Sequence, residues 1–341
     1  MLFSLLPANV WINLRVPVGY SDGGSPIYKS LVLFVVLFFG VFAQTAAYAS
    51  TLTAAELLGG FNAIIFHDAA TTADIEGAAI IGGSFSGATM YSRPGGVVLP
   101  DSFNALNVYG NTYGNPINLN NGGSASVGGS KGAIVNFNGG GRYVSSGTGV
   151  SMDEIASELI DFSSYLTGLD GNSLLPTPDN NEVIQATPDA NGVAVFNISV
   201  DDLSRIPSYS IDLNGATSII FNVSGPVLGF NANYQGDDSI FDNVIWNFYD
   251  ATDLTFGTLI GGSVLAPYAA VRNNNQIDGT LVANSWTGSG ELHQYAFDDQ
   301  EPVSDDPGPI ATPEPSSLLL VVCGVALFLA RRWWHRGRGI A

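Results

Sequence analysis

A short apolar segment that ends in two small residues recurs along this chain. Residues 257–264 (GTLIGGSV) align without gaps with residues 279–286 (GTLVANSW), at an offset of 22 residues, and residues 75–85 are related to both. Each apolar stretch fits a β-strand, and the small residues fit a tight corner in which a larger side chain would clash. The pattern predicts a β-solenoid with about 22 residues in each coil, since strands stacked about 4.8 Å apart need equivalent residues at equivalent corners.

The composition agrees with a β protein that is rich in turns. Glycine accounts for 41 of 341 residues, above the usual share of roughly 7%, and only 12% of the residues are charged. Cys323 is the single cysteine, so the sequence excludes an intramolecular disulfide and any metal site built from several cysteines.

The charge balance excludes nucleic acid as a ligand. The whole chain carries a net charge of −19, and residues 50–315 hold five basic and 29 acidic residues, a net charge of −24. Such a surface repels phosphate backbones and other anionic polymers, and it attracts divalent cations weakly. We therefore expect no cofactor other than loosely bound Ca²⁺.

Residues 1–49 have the features of a secretory signal peptide. Lys29 precedes an apolar run that reaches residue 43, and Ala47 and Ala49 form the small-x-small pattern of a signal peptidase site. About 13 apolar residues are too few for a membrane-spanning helix, which needs roughly 20. We expect cleavage after Ala49 and export, with a retained N-terminal anchor as the alternative.

Residues 313–341 contain three elements in a fixed order. Pro313, Glu314 and Pro315 precede an apolar run over residues 318–330, which a basic cluster beginning with Arg331 and Arg332 follows. This tail resembles the PEP-CTERM sorting signal of bacteria that make exopolysaccharide. The resemblance implies an exosortase-type membrane protease as partner and a short transmembrane helix that holds the chain until it is processed. The arginines would stay cytoplasmic. A plain C-terminal anchor is the alternative.

Two segments between these ends predict helices. Ser151 and Glu154 form a capping box before apolar residues at helical spacing, and Gly168 lies where a left-handed C-cap belongs. The pattern predicts an amphipathic helix of about 16 residues that packs on the flank of the solenoid. Thr53 and Glu56 predict a second, shorter helix by the same capping pattern. Residues 299–312 are acidic and rich in proline, and they predict a solvated spacer.

Four stretches, in this order, carry a family resemblance: residues 57–66, 74–83, 243–248 and 288–295. They resemble the choice-of-anchor A family, a bacterial surface domain also described as an ice-binding-like adhesive domain. The resemblance covers roughly residues 55–298, so we expect one domain over residues 50–298. It implies a mainly β fold, a right-handed β-solenoid with one amphipathic α-helix packed alongside. No catalytic residues are established for that family, so it implies none here.

Two groups of residues are candidates for a metal site. Asp237, Asp238 and Asp242 lie in a loop that contains glycine and could supply oxygen ligands to Ca²⁺, but they lack the spacing of an EF-hand. An ordinary solvated loop is the alternative. His293 lies between Glu291 and Tyr295, and we expect it to hydrogen-bond the last coil, with a metal or acid–base role as the alternative. His67 should lie at the opposite end of an elongated stack, which excludes a two-histidine zinc site.

The predicted function is that of an exported, non-enzymatic protein of the cell surface or extracellular matrix. An exopolysaccharide or another cell-surface ligand is the expected partner, because each coil adds contact area to a flat lateral face. The alternative is a polysaccharide-degrading β-helix enzyme. Such an enzyme needs two carboxylates across a groove, and residue spacing in the sequence alone does not identify that pair. Ice binding is not favoured, because only Thr258 and Thr280 coincide between the repeats.

Overall fold

The computed structural model describes residues 52–91, 99–100, 102–145, 147–177 and 180–297, and within these ranges the chain is mainly β. All of them belong to the compact unit that begins at Leu52. The predicted signal peptide, the acidic spacer and the PEP-CTERM tail with its transmembrane helix lie outside the described residues.

The described part contains three α-helices, a 3₁₀ helix (Asp238–Asn243) and a series of strands. The α-helices are α1 (Ala54–Gly60), α2 (Met152–Thr167) and α3 (Val200–Leu203). The first strands in chain order are β1 (Ala63–Ile65), β2 (Ala69–Thr71), β3 (Ala79–Ile81), β4 (Phe85–Met90), β5 (Leu106–Val108), β6 (Thr112–Leu119), β7 (Ala125–Val127), β8 (Val135–Phe137), β9 (Glu182–Gln185), β10 (Val193–Ser199) and β11 (Ser208–Asp212). The later strands are β12 (Ser218–Ser224), β13 (Val227–Phe230), β14 (Asn233–Tyr234), β15 (Val244–Asn247), β16 (Asp253–Phe256), β17 (Ile260–Gly261), β18 (Ser263–Asn273), β19 (Ile277–Asp278), β20 (Leu281–Gly288) and β21 (Leu292–His293).

The strands form parallel ladders, in which each strand pairs with strands from other passes of the chain. We call each such pass a coil. One ladder, which faces α1 and α2 and which we call the helix-facing ladder, has the order β10-β12-β15-β18-β20-β1-β3-β5-β7. A second ladder, which we call the outer sheet, has the order β13-β16-β18-β20-β2-β4-β6-β8. The long strands β18 and β20 belong to both ladders. The remaining strands form two narrow sheets, β14-β11-β9 and β17-β19-β21.

The coils do not stack in chain order, which contradicts the expectation that His67 and His293 lie at opposite ends. Strand β1 pairs with β20 on one side and with β3 on the other, so Ile64 lies between Val282 and Ile80. The first coil is therefore inserted against the last one in the middle of the ladder. The free ends of the stack come from the middle of the chain, at β7 and β10.

The predicted coil length of 22 residues is wrong. Ile260 pairs with Ile277 and Val264 pairs with Leu281, an offset of 17 residues. Elsewhere Ile219 pairs with Val244, an offset of 25. The sequence alignment at an offset of 22 matched residues that are similar but are not paired with each other in the structure. Register follows from the side chains that fill the interior, and the loops between strands differ in length.

The interior of the coils is an apolar core. The rings of Phe196, Phe221 and Trp246 stack on successive strands, with centroid separations of 4.7 and 4.0 Å. A second core lies between the helix-facing ladder and the helices, and it includes Ile155, Leu159, Ile220 and Ile245. Because apolar groups cover both faces of this ladder, strands such as β12 are buried almost throughout, as parallel strands covered on both faces are.

Helices α1 and α2 confirm the two capping-box predictions. The hydroxyls of Thr53 and Ser151 accept from the backbone N–H groups of Glu56 and Glu154, and both glutamates hydrogen-bond back. Helix α2 has the predicted 16 residues. Its end differs, because Gly168 has φ −79° and ψ −8° rather than a left-handed conformation. A tightened last turn, in which Gly168 N–H donates to Tyr165, replaces the expected cap.

Asparagine side chains connect α2 to the ladder beneath it. Asn247 donates to Asn222 Oδ1 at 2.9 Å, and Asn222 donates to Asn197 Oδ1 at 3.0 Å. The same amides donate to the carbonyl oxygens of Ser163 and Leu166 in α2. Stacked asparagines on successive strands under the helix therefore exchange side-chain hydrogen bonds. Within the described ranges, no helix combines the length and the hydropathy that a membrane crossing requires.

Candidate functional surface

The outer sheet presents one row of exposed or partly exposed residues, with one residue on each of the seven strands from β13 to β6. Burial alternates along its strands, because successive side chains point to opposite faces; in β16, for example, Leu254 and Phe256 are buried while Thr255 is partly exposed. The paired residues of the row are Gly229, Thr255, Arg272, Thr287, Ala70, Ser86 and Tyr113. Neighbouring members are about 4.8 Å apart, the spacing of paired strands. This row defines the outer face.

A charged pair lies in this face. Arg272 Nη1 donates to Asp253 Oδ2 at 2.9 Å, and both side chains are largely exposed. An exposed ion pair of this kind adds little to stability. The rest of the row is uncharged, so the face offers hydroxyl groups, the Arg272–Asp253 ion pair and the exposed ring of Tyr113 to a ligand.

Two shallow hollows lie away from the outer face, and neither has the chemistry of a glycosidase site. One has a volume of about 130 Å³ and is lined by residues such as Val108, Tyr109 and Thr148. The other, about 270 Å³, is lined by residues such as Phe103, Asn104 and Asn121. Their linings contain no Asp, Glu or His, whereas glycoside hydrolysis normally needs two carboxyl groups across a groove.

His293 lies between two carboxylates at the end of the described chain. Its Nδ1 is 2.7 Å from Asp278 Oδ1, and its Nε2 is 2.9 Å from Glu291 Oε2. Burial alone would lower the pKa of His293, but the hydrogen bond to Glu291 and the charges of Asp278 and Glu76 raise it above its ordinary value. Burial also raises the pKa of Asp278, and His293 opposes that shift. This arrangement ties β21 to β19, which fits the structural role expected of His293.

The candidate calcium ligands have local structural contacts. Asp237 begins a 3₁₀ helix (Asp238–Asn243) and accepts from the N–H of Ser239 at 2.9 Å, which lowers the pKa of Asp237. Asp238 accepts from Tyr295 Oη at 3.3 Å, and Asp242 lies in the same 3₁₀ helix. The described residues contain no group of three or more His, Cys, Asp or Glu side chains that could hold a metal ion. Pro313, Glu314, Pro315, Arg331 and Arg332, like Ala47 and Ala49, lie outside the described residues.

The two threonines that coincide in the sequence repeat do not form a ladder. Thr280 is buried and donates to the carbonyl oxygens of Leu58 and Phe61 at 2.8 and 2.6 Å. Thr258 donates to Ala232 O. The coincidence therefore reflects two separate structural contacts.

Sequence reasoning missed the outer face itself. A signal was present, because residues 253–256 (DLTF) and 270–273 (AVRN) both alternate between polar or small residues and larger buried ones. That alternation predicts a strand with one exposed face. It does not show which strands are neighbours, because their register became known only from the structure.

One family model matches most of the described chain. Residues 54–294 match the family model of an ice-binding-like adhesive domain. No curated protein matches the chain significantly.

Solved structures of three ice-binding proteins are similar to the chain. One, from an Antarctic biological consortium, has 13% identity and a TM-score of 0.34. The matched region covers 69% of this chain and 86% of the ice-binding protein. One from the Antarctic ascomycete Antarctomyces psychrotrophicus has 14% identity, a TM-score of 0.28 and coverages of 69% and 95%. An ice-binding protein domain from Shewanella frigidimarina has 12% identity, a TM-score of 0.31 and coverages of 69% and 93%.

Proposed function

This chain belongs to the family of ice-binding-like adhesive domains, and we propose that it is an exported, non-enzymatic adhesive protein of the cell surface or extracellular matrix. The outer face is its contact surface. The observation that carries the proposal is the row of one exposed or partly exposed residue per parallel strand, from Gly229 to Tyr113. Such a row repeats a weak contact at a regular spacing, so that many contacts together give useful avidity.

The parallel ladders are interpreted as one right-handed β-solenoid. Helix α2 and its apolar residues Ile155 and Leu159 cover one side of it. On another side, the row from Gly229 to Tyr113 is exposed or partly exposed. A rigid column with one free lateral face suits contact with an extended polymer, because the polymer can follow the face across several strands.

The proposed ligand is an exopolysaccharide or another glycan of the producing cell. The hydroxyl groups of Thr255 and Thr287 and the guanidinium group of Arg272 can hydrogen-bond sugar hydroxyls, and the half-exposed ring of Tyr113 can pack against a sugar face. The net charge of −24 over residues 50–315 favours a neutral polymer over an anionic one.

Sorting through the PEP-CTERM route completes the proposal. The Pro313-Glu314-Pro315 element, the apolar run and the arginines beginning at Arg331 support it. An exosortase-type protease would recognise this tail, with the C-terminal helix anchoring the chain until processing. The domain would then reach the cell surface or the matrix.

Binding of the purified full chain to the exopolysaccharide of the producing cells tests the function. We expect Tyr113→Ala and Arg272→Glu to weaken binding. Two matched controls should leave it unchanged: Tyr165→Ala, which removes an exposed tyrosine from α2, and Arg205→Glu, which removes another exposed, ion-paired arginine. Absence of binding, or equal loss in the controls, would contradict the proposal. New reducing ends during incubation would instead indicate the glycan-degrading alternative.

Ice binding is the second candidate, and a specific feature favours it. Thr287, Ala70 and Ser86 are consecutive members of the row and are small or hydroxylated. The Arg272–Asp253 ion pair interrupts the row with strongly hydrated charges, so we rank ice binding below glycan adhesion. Growth of ice crystals in the presence of the full chain tests this candidate, and unchanged crystal shape and growth rate would exclude it.

A further inference from the structure

The stack of coils ends on one side with a coil that carries only positive charge. In this terminal coil Lys131 bridges to Thr112, β8 pairs with β6, and Tyr143 bridges to Ala125. Residues 102–152 contain no acidic residue, and their two basic residues are Lys131 and Arg142. Both side chains are exposed, and neither forms a salt bridge within the described ranges. We call the coil of residues 130–145 the basic end.

The basic end also exposes apolar groups and an open strand edge. Strand β8 pairs only with β6 among the described strands. Ile134, which precedes it, is 67% exposed, while Val135 and Phe137 are half-buried against the core. Natural proteins usually shield such an edge, because its free backbone groups can pair with another chain. Lys131 Nζ lies 4.1 Å from the centroid of the Tyr143 ring in the same coil, and both positive charges and the strand edge remain exposed at this end of the described chain.

The opposite end of the stack has the complementary charge. Strand β10 is the last strand of the helix-facing ladder there, and Ser173 bridges to it through Phe196. Residues 169–206 contain six acidic residues and one basic residue. Asp170, Asp189 and Asp201 are exposed, and Leu174, in the segment that covers β10, is 87% exposed. We call the described residues of this range, 169–177 and 180–206, the acidic end; they hold five of the acidic residues.

We propose that copies of this chain associate head to tail, with the basic end of one copy on the acidic end of the next. The partner is therefore a second copy of this chain. Lys131 and Arg142 would approach acidic side chains such as Asp170 and Asp201, while Ile134 and Leu174 bury apolar surface between the copies. Two basic ends would repel each other, which disfavours a two-fold symmetric contact. A heterologous contact forms a ring only where the rotation between copies closes; contacts at the two opposite ends of one stack favour open, linear assemblies.

Head-to-tail assembly leaves the lateral outer face exposed. The row from Gly229 to Tyr113 runs from strand to strand along the stack, so each added copy would extend it. The inference therefore goes beyond the proposed adhesive function and does not depend on which ligand the face binds.

Thiol cross-linking of the full chain tests the geometry. In a Cys323→Ser background, Asn136→Cys marks the basic end and Leu174→Cys marks the acidic end. With a short bismaleimide, we expect the double-cysteine chain to give a ladder of oligomers and each single-cysteine chain to remain monomeric. A control pair, Leu174→Cys with Thr287→Cys on the outer face, should give no ladder. Dimers from Asn136→Cys alone would show a two-fold contact and overturn the proposal.

Charge reversal tests the electrostatic part with the same cross-linking readout. We expect Lys131→Glu with Arg142→Glu, or Asp170→Lys with Asp201→Lys, to reduce the ladder roughly tenfold or more. Combining all four substitutions should restore it, and higher salt should weaken the native ladder. Arg272→Glu makes the same charge change as Arg142→Glu, but Arg272 lies in the middle of the stack. It should leave the yield of cross-linked oligomers unchanged. If the double-cysteine chain without charge reversal gives no cross-linked oligomers, the proposal is overturned. This includes the case in which the acidic spacer at residues 299–312 occupies the basic end. A ladder that charge reversal leaves unchanged would also overturn it.

Discussion

The side-chain amide of Asn62 donates a hydrogen bond to the carbonyl oxygen of Gly279, 217 residues further along the chain, at 2.8 Å. It also donates to His293 O at 3.0 Å, and Asn62 Oδ1 accepts from the N–H of Gly77 at 3.2 Å. Asn62 is fully buried. One side chain therefore satisfies three backbone groups where the first coil lies against the last, so the two ends of the domain depend on each other for stability.

Replacing Asn62 with alanine should lower the free energy of unfolding by about 2–4 kcal/mol, because buried backbone groups lose their hydrogen-bond partners. Denaturant titration followed by tryptophan fluorescence measures the change, since Trp246 and Trp286 are buried. The matched control is Asn138→Ala, which removes an exposed hydrogen bond to Asn120 and should cost under about 0.5 kcal/mol. Equal losses in the two variants would show that Asn62 has no special role.

Asn247→Ala should weaken the attachment of α2 to the sheet. Ser163 Oγ donates to Asn247 Oδ1 at 2.6 Å, and Asn247 Nδ2 donates to Ser163 O at 2.9 Å, both in buried surroundings. We expect a loss of about 2–3 kcal/mol and faster amide hydrogen exchange in α2. Asn136→Ala is the control, because Asn136 donates to Asn118 in an exposed pair. Unchanged exchange in α2 would contradict this interpretation.

Gly82→Ala should be strongly destabilising. A Cβ at this corner would overlap the carbonyl oxygen of Phe66 in the neighbouring coil, and backbone cannot move aside as a flexible side chain can. We expect a loss of about 2 kcal/mol or more, measured as a lower midpoint of thermal unfolding. Gly147→Ala is the control, because a Cβ there meets nothing within 4 Å, and it should be neutral or stabilising by under about 1 kcal/mol. A neutral Gly82→Ala would show that the coils are further apart at this corner.

Stability should fall as pH rises through the neutral range because of His293. Its pKa is raised in the folded state, mainly through Glu291 and Asp278 acting against burial. A raised folded pKa means that the stabilisation is complete below the unfolded pKa, about 6.5 for histidine, and is lost as pH rises through the folded pKa. Burial also raises the pKa of Asp278. Asp278 therefore also makes stability fall as pH rises, but over a lower pH range than His293.

Denaturation curves at a series of values between about pH 6 and pH 9 measure this dependence. His293→Gln removes the titrating group and keeps a polar side chain, so its stability should be nearly constant over the same range. If the variant loses stability with pH as steeply as the native chain, another group causes the effect.

Local signals in the sequence were sufficient for the helices. A capping box joins residues three apart, so Thr53 with Glu56 and Ser151 with Glu154 predict the starts of α1 and α2 without knowledge of the rest of the fold. The preference for β structure was likewise visible in short apolar segments bounded by glycine. The end of α2 was less predictable, because the turn at Gly168 depends on where the chain continues.

The sequence by itself determined that this chain forms parallel-strand segments with tight glycine corners and a capped amphipathic helix, because these depend on contacts between nearby residues. Only the tertiary structure decided that Ile64 lies between Val282 and Ile80, and that Arg272 and Thr287 share an outer face. Strand neighbours and register depend on how inward side chains from distant coils fill one core. Several alignments of similar apolar segments look equivalent in the sequence, but the packed interior accepts one of them.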